Sequence, residues 1–246
     1  MSIMYKSTRS NSDKVTASQA ILKGLADDGG LFVPDSIPAL EVPLEKLADM
    51  TYQETAYEVM KLFLSDFTEE ELKHCINGAY DDKFDTKEIA PLVKKDGAYY
   101  LELFHGATIA FKDMALQILP HLLTKSLKKK YDGKTAVILV ATSGDTGKAA
   151  LEGFKDVDHT KIVVFYPVDG VSPMQKHQMN TQEGENVRVC AIKGNFDDAQ
   201  TGVKKMFSDA ELAKYMDEKG YQFSSANSIN IGRLVPQVVY YVYSYA

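Results

Sequence analysis

The sequence predicts an α/β protein in which a mainly helical amino-terminal domain precedes an open, mostly parallel α/β sheet domain. Three observations carry this. In the first 95 residues, Thr16 with Gln19, Thr51 with Glu54, and Thr68 with Glu71 match the capping-box pattern. There a Thr hydroxyl accepts from the first-turn amides, and a Glu or Gln three residues on reaches back. From about residue 135, the apolar or β-branched runs AVILVAT (136–142), KIVVFYP (161–167), VRVCAI (187–192) and YQFSSA (221–226) alternate with helix-compatible segments at 147–155, 173–183 and 196–218. Such alternation implies parallel pairing through right-handed crossovers. Last, LVPQVVYYVYSYA reads as a helix that is apolar nearly all round and therefore expected to be buried. A chain ending inside such an element reads as interrupted, so truncation is expected.

Between the first two capping boxes, DDGGLFVPDSIP supplies helix-stopping glycines and turn-forming prolines. The periodic apolar residues Tyr57, Met60, Leu62, Phe63 and Leu64 give this first segment a packing role. With 45% hydrophobic and 25% charged residues over 246 positions, the chain has room for a sizeable core. Its net charge of −6 argues against general binding to nucleic acid or an anionic membrane, which needs a basic field. Cys75 and Cys190 have no CxxC spacing and offer neither a disulfide framework nor a zinc site. The histidines are scattered without metal-ligand spacing, so no metal is expected, and His105 is left only as a residue able to orient a ligand. Without a secretory h-region or a membrane-length apolar run, the cytoplasm is the default location.

Three stretches carry chemistry. In ELFHGATIAFKDMALQILP (102–120), Lys112 sits among apolar residues, where desolvation would favour a neutral amine able to form a Schiff base. ATSGDTGKAALEGF (141–154) follows a predicted strand and opens a helix, at the place where open α/β sheets bind ligands. Gly144 and Gly147 would let backbone approach an anion, while Thr142, Ser143 and Thr146 offer hydroxyls. The spacing is too short for a P-loop, and Ala149 stands where its metal-binding hydroxyl would be. That Asp145 only caps the helix and the glycines only make a turn remains open at this point. In SSANSINIGRLVPQ (224–237), amides and hydroxyls crowd beside Arg233, whose guanidinium can grip a phosphate with two parallel hydrogen bonds. The basic run KSLKKK (125–130) suits a solvated helix C-terminus. A lysine amine between two anion cradles points to carbonyl or pyridoxal phosphate (PLP) chemistry.

HGATIAFKDMALQ, TSGDTGKAALEGF and SANSINIGRLVPQ, in this order and spacing, resemble threonine synthase of the fold-type II (tryptophan synthase β-like) PLP enzymes. YKSTR and LADDGGLFVP resemble the amino-terminal region of the same family. The resemblance implies that Lys112 holds PLP and then shuttles protons, with Asp145 and Thr146 also lying against the cofactor. It implies that Thr142, Ser143, Gly144, Asp145 and Thr146 receive the substrate carboxylate, and that Asn227 and Arg233 hold the substrate phosphate. The implied reaction, that of a carbon–oxygen lyase, converts O-phospho-L-homoserine and water to L-threonine and phosphate. The implied domains are an amino-terminal domain at 1–95, part of a large PLP domain at 96–133 and 231–246, and a small α/β domain at 134–230. Ala107 departs from the proline of many relatives. The chain also ends before the glycine- and asparagine-rich loop that takes the cofactor phosphate in that family, so an inactive fragment is expected. The partner is a phosphorylated amino acid, and homo-oligomerisation stays open. Two alternatives remain: another fold-type II enzyme, such as a threonine dehydratase or a cysteine synthase, or a non-catalytic homologue that binds phosphorylated small molecules.

Overall fold

The computed structural model describes residues 2–10, 13–131 and 133–246. In chain order, β1 (Tyr5–Ser7), α1 (Ala17–Lys23) and β2 (Phe32–Pro34) are followed by α2 (Leu44–Leu47), α3 (Tyr52–Phe63) and α4 (Glu69–Ala79). A hairpin of β3 (Leu92–Lys95) and β4 (Ala98–Leu101) leads to α5 (Asp113–Leu116) and α6 (Leu119–Lys130). Then come β5 (Thr135–Ala141), α7 (Asp145–Phe154), β6 (Thr160–Pro167), α8 (Pro173–Asn180) and β7 (Val187–Ile192). The chain closes with α9 (Phe196–Ser208), α10 (Ala210–Glu218), β8 (Tyr221–Ser224) and α11 (Ile231–Tyr245). Among the described residues, no helix is long and apolar enough to cross a membrane.

Thr16, Thr51 and Thr68 each form the expected box. For Thr51, the Glu54 carboxylate accepts the cap amide at 2.8 Å, and the Thr hydroxyl accepts the Glu54 amide at 3.2 Å. Helix α7 begins two residues earlier than its apolar pattern suggests, and α8 stops three residues sooner. The long segment 196–218 divides at Asp209, whose side chain accepts the Leu212 amide at 2.9 Å and so caps a new helix. The amino-terminal region also contains the β1–β2 pair, which the helical reading does not anticipate.

The parallel sheet has the order β7-β6-β5-β8. The chain moves outward from β5 to β6 and β7, then returns to place β8 on the other side of β5. This reversal makes the carboxyl ends of β5 and β8 a topological switch point, the place where open α/β sheets bind their ligands. One face of β5, formed by Ala136, Ile138 and Val140, joins a core shared with α1, α3, α4, α6 and α7. Its other face, Val137, Leu139 and Ala141, packs under α9 with Val203 and Phe223.

Helix α11 is buried through Ile231, Val235, Val239 and Tyr240, but Tyr241 and Tyr245 stand 64% and 77% exposed. The expectation of burial all round is therefore corrected. The helix packs on α3 and α5, with further contacts to α1 and α6, and this leaves Tyr241 and Tyr245 on the side open to solvent. Two long-range bonds tie the end of β8 and the N-cap of α11 to α1: the Ile21 carbonyl accepts from Ser224 Oγ at 3.3 Å and from Asn230 Nδ2 at 2.9 Å.

Candidate active site

The loop after β5 is held from within. The buried Thr142 hydroxyl accepts the amides of Gly144 at 3.0 Å and Gly147 at 2.9 Å. Asp145 Oδ1 accepts the Thr146 amide at 2.9 Å. Three amides that a bare helix N-terminus would offer to an anion thus have side-chain partners already. Gly144 is required here: at φ 154° and ψ −104°, any Cβ would also run into the side chain of Gln175. Ser143, in contrast, is exposed at the loop's tip.

The loop after β8 docks beside it, because Asn227 Nδ2 donates to the Ala141 carbonyl, at the last residue of β5, at 3.2 Å. Lys112 arrives from a third direction. It is the N-cap of α5, and its Nζ donates to Asp145 Oδ2 at 2.5 Å, with the ammonium 4.5 Å from the Phe111 ring centroid. The side chains of the pair are 18% and 47% exposed. The amine's nearest partner is therefore a carboxylate, rather than the purely apolar sheath the sequence suggests. Arg233, in the first turn of α11, is 3% exposed, and its Nε and Nη1 have no hydrogen-bond partner among the described residues. Burial lowers its pKa from the ordinary value, while Tyr240 and then Asp145 act in the opposite direction. Asp145 therefore lies within electrostatic reach of both cations.

The structure thus brings the three chemistry-bearing stretches to one edge of the sheet, at its switch point. Lys112, Asp145, Thr146, Ser143, Gly144 and Thr142 adjoin through the β5 loop, Asn227 touches the end of β5, and Arg233 lies within electrostatic reach of Asp145. A separate cleft of about 970 Å³, lined by residues such as Leu22, Tyr131, Phe207 and Phe223, contains none of them. No cluster of three or more His, Cys, Asp or Glu placed to hold a metal occurs among the described residues.

One residue beside Lys112 was not assigned by its sequence setting. Asp113 is fully buried and bonds back to Thr108, a role visible only once the loop is folded. His105 sits between carboxylates, with Nε2 2.9 Å from Glu102 and Nδ1 2.5 Å from Asp85. Its pKa is raised, first by Glu102 and then, against partial desolvation, by Asp85. A raised folded-state value stabilises the fold below the unfolded value of about 6.5, and that stability is lost as pH rises through the folded value. The melting-temperature gap between the parent and His105→Gln should therefore be widest at pH 6 or below and shrink towards pH 8. A gap that widened with pH would contradict this electrostatic account.

Residues 4–80 match the family model described as the threonine synthase N terminus. The chain is 40% identical over 261 residues to threonine synthase of Eremothecium gossypii, covering 100% of this chain and 50% of that protein. It is also 40% identical over 245 residues to threonine synthase of Pseudomonas aeruginosa, covering 98% of this chain and 50% of the relative. A crystal structure of PLP-bound threonine synthase from Brucella melitensis superposes with a TM-score of 0.85 at 39% identity, covering 98% of this chain and 51% of that one. The chain spans about half the length of these relatives. It is a relative of the threonine synthases, with the fold of those PLP enzymes over the half of their length that it matches.

Proposed function

We propose that the protein converts O-phospho-L-homoserine and water to L-threonine and phosphate, with PLP carried on Lys112. The convergence at the sheet's switch point supports this reading most. It places a partly exposed primary amine against Asp145, and a buried guanidinium with two unpartnered nitrogens within electrostatic reach of the same residue. The donor set fits the cofactor and its substrate. A primary amine can hold an aldehyde covalently, and unpaired buried N–H groups are the natural partners of a phosphate. PLP supplies the electron sink that lets the phosphate leave the γ carbon of the substrate and water add at the β carbon.

The chain's own residues do the rest. Lys112 Nζ carries the cofactor and, when freed, takes and returns protons at the substrate carbons. Asp145 holds that amine at 2.5 Å, so its carboxylate orients Nζ towards the β5 loop. Thr142 contributes by shape: its hydroxyl is spent on the amides of Gly144 and Gly147, which fixes the turn that receives the substrate carboxylate. The exposed Ser143 is free to meet that carboxylate from the tip, with Gly144 and Thr146 supplying the surrounding backbone. Asn227 and Arg233 take the substrate phosphate. Domains at 1–95, at 96–133 with 231–246, and at 134–230 accompany this reading, as does a cytoplasmic setting. Because the relatives are about twice as long, the 246-residue chain alone is expected to give no turnover.

The deciding experiment supplies the protein, as it occurs in its source cell, with PLP and either O-phospho-L-homoserine or unphosphorylated homoserine and threonine. Phosphate and threonine should be released in equal amounts from the phosphorylated substrate alone. Deamination of threonine without phosphate release would replace the reading with that of a dehydratase. Binding without turnover would make the protein a non-catalytic homologue.

A further inference from the structure

Next to Lys112, the carboxylate of Asp113 turns back on the loop that carries it. Oδ2 accepts the Thr108 amide at 2.7 Å, and Oδ1 accepts the Thr108 hydroxyl at 2.7 Å. The Asp113 amide in turn donates to the Ala110 carbonyl at 2.9 Å. Gly106 comes so near that a Cβ there would lie 2.6 Å from Asp113 Cβ. Segment 106–112 is therefore wrapped around one side chain that is 0% exposed.

The rest of the loop gives little support. Ile109 is 75% exposed and adopts φ 59°, a left-handed conformation that a β-branched residue resists. Phe111 is exposed as well. Strained backbone persists only where its surroundings over-determine it. Here the over-determining contacts are those of Asp113. A buried carboxylate is itself costly unless hydrogen-bonded, so the two Thr108 donors and the carboxylate hold one another in place.

We propose that Asp113 is a positioning residue for Lys112: its buried carboxylate grips the amide and hydroxyl of Thr108 and so holds loop 106–112 in the shape that delivers the Lys112 amine to Asp145. The clamp is a property of the free protein. Its catalytic meaning rests on the reading of Lys112 as the PLP-bearing residue.

The test measures how fast Lys112 is acylated by a small excess of acetic anhydride without PLP, by peptide mass spectrometry, with exposed Lys94 as internal standard. Releasing the clamp frees the amine from its carboxylate partner. Asp113→Asn and Thr108→Val should raise the Lys112-to-Lys94 ratio by about tenfold, the scale of one lost charge-assisted hydrogen bond. Thr108→Ser keeps both donors and should match the parent. If Asp113→Asn fails to fold, the contrast between Thr108→Val and Thr108→Ser decides alone. Equal ratios in the parent and Thr108→Val overturn the proposal. Borohydride trapping of PLP on the same proteins separates the two ideas. Trapping on a different lysine in the parent would sink the reading of Lys112, while the acylation ratios would still judge the clamp.

Discussion

Replacing Lys112 with alanine is expected to reduce turnover of the natural protein by roughly a thousandfold or more, while leaving the fold almost unchanged. The two halves of this expectation have different causes. The lost rate follows from removing the only group proposed to hold the cofactor covalently and move protons at the reacting carbons, and losses on that scale are typical of such groups. The small structural effect follows from exposure: Asp145, the partner left behind, is 47% exposed and can be solvated. Discounted for that screening, the lost ion pair is worth about 0–1 kcal/mol. Lys112→Arg separates the two roles, because a guanidinium can still pair with Asp145 but cannot capture an aldehyde at neutral pH. After borohydride reduction with PLP, the parent should carry one label on Lys112 and both variants none. A label of equal yield in Lys112→Arg would mean that the cofactor is held by another amine.

Arg233→Met should shift stability and binding in opposite directions. The Arg233 guanidinium is 3% exposed with Nε and Nη1 unpartnered, so the folded protein bears a desolvation cost that its own hydrogen bonds do not offset. An apolar side chain of similar length removes that cost. We expect the empty protein to gain about 1–2 kcal/mol in urea denaturation, at the lower end of what is seen when buried charges give way to well-packed apolar groups. Affinity for the phosphorylated substrate should fall by about a hundredfold, because a buried charge-assisted contact is lost. A variant less stable than its parent would show that the guanidinium contributes to the fold itself, which would undercut its role as an anion receptor.

What the sequence revealed tracks how local each signal is. The three threonine capping boxes are set by residues three apart and could be read directly, whereas the box of Asn195 with Asp198 uses an aspartate at the third position and escaped the Glu/Gln template. Asp96–Gly97 was a legible hairpin signal that the helical reading of the first region passed over. Both residues have positive φ, 51° and 80°, as a tight primed turn between β3 and β4 requires. The anion-binding appearance of the β5 loop was legible from its glycines and hydroxyls. Its inward hydrogen bonds were not, because Thr142 meets the amides of Gly144 and Gly147 only after the turn has formed. Least legible were the burial of Asp113 and Arg233. Composition places such residues outside, and only the packing of α5 and α11 on the rest of the protein puts them inside.

The bonds from Ser224 and Asn230 to the Ile21 carbonyl span 203 and 209 positions of sequence. Contacts of this separation are slow to form, because a long loop must close before they repay its entropy. Since Arg233 lies three residues beyond Asn230, the three stretches can meet only after residue 233 has left the ribosome. Until then, the β5 strand and the loop bearing Lys112 wait with one wall missing. A nascent chain stalled before residue 225 should therefore show its amino-terminal helices protected from protease while the Lys112 segment is still cut, which would place assembly of this site after that of the helices that precede it.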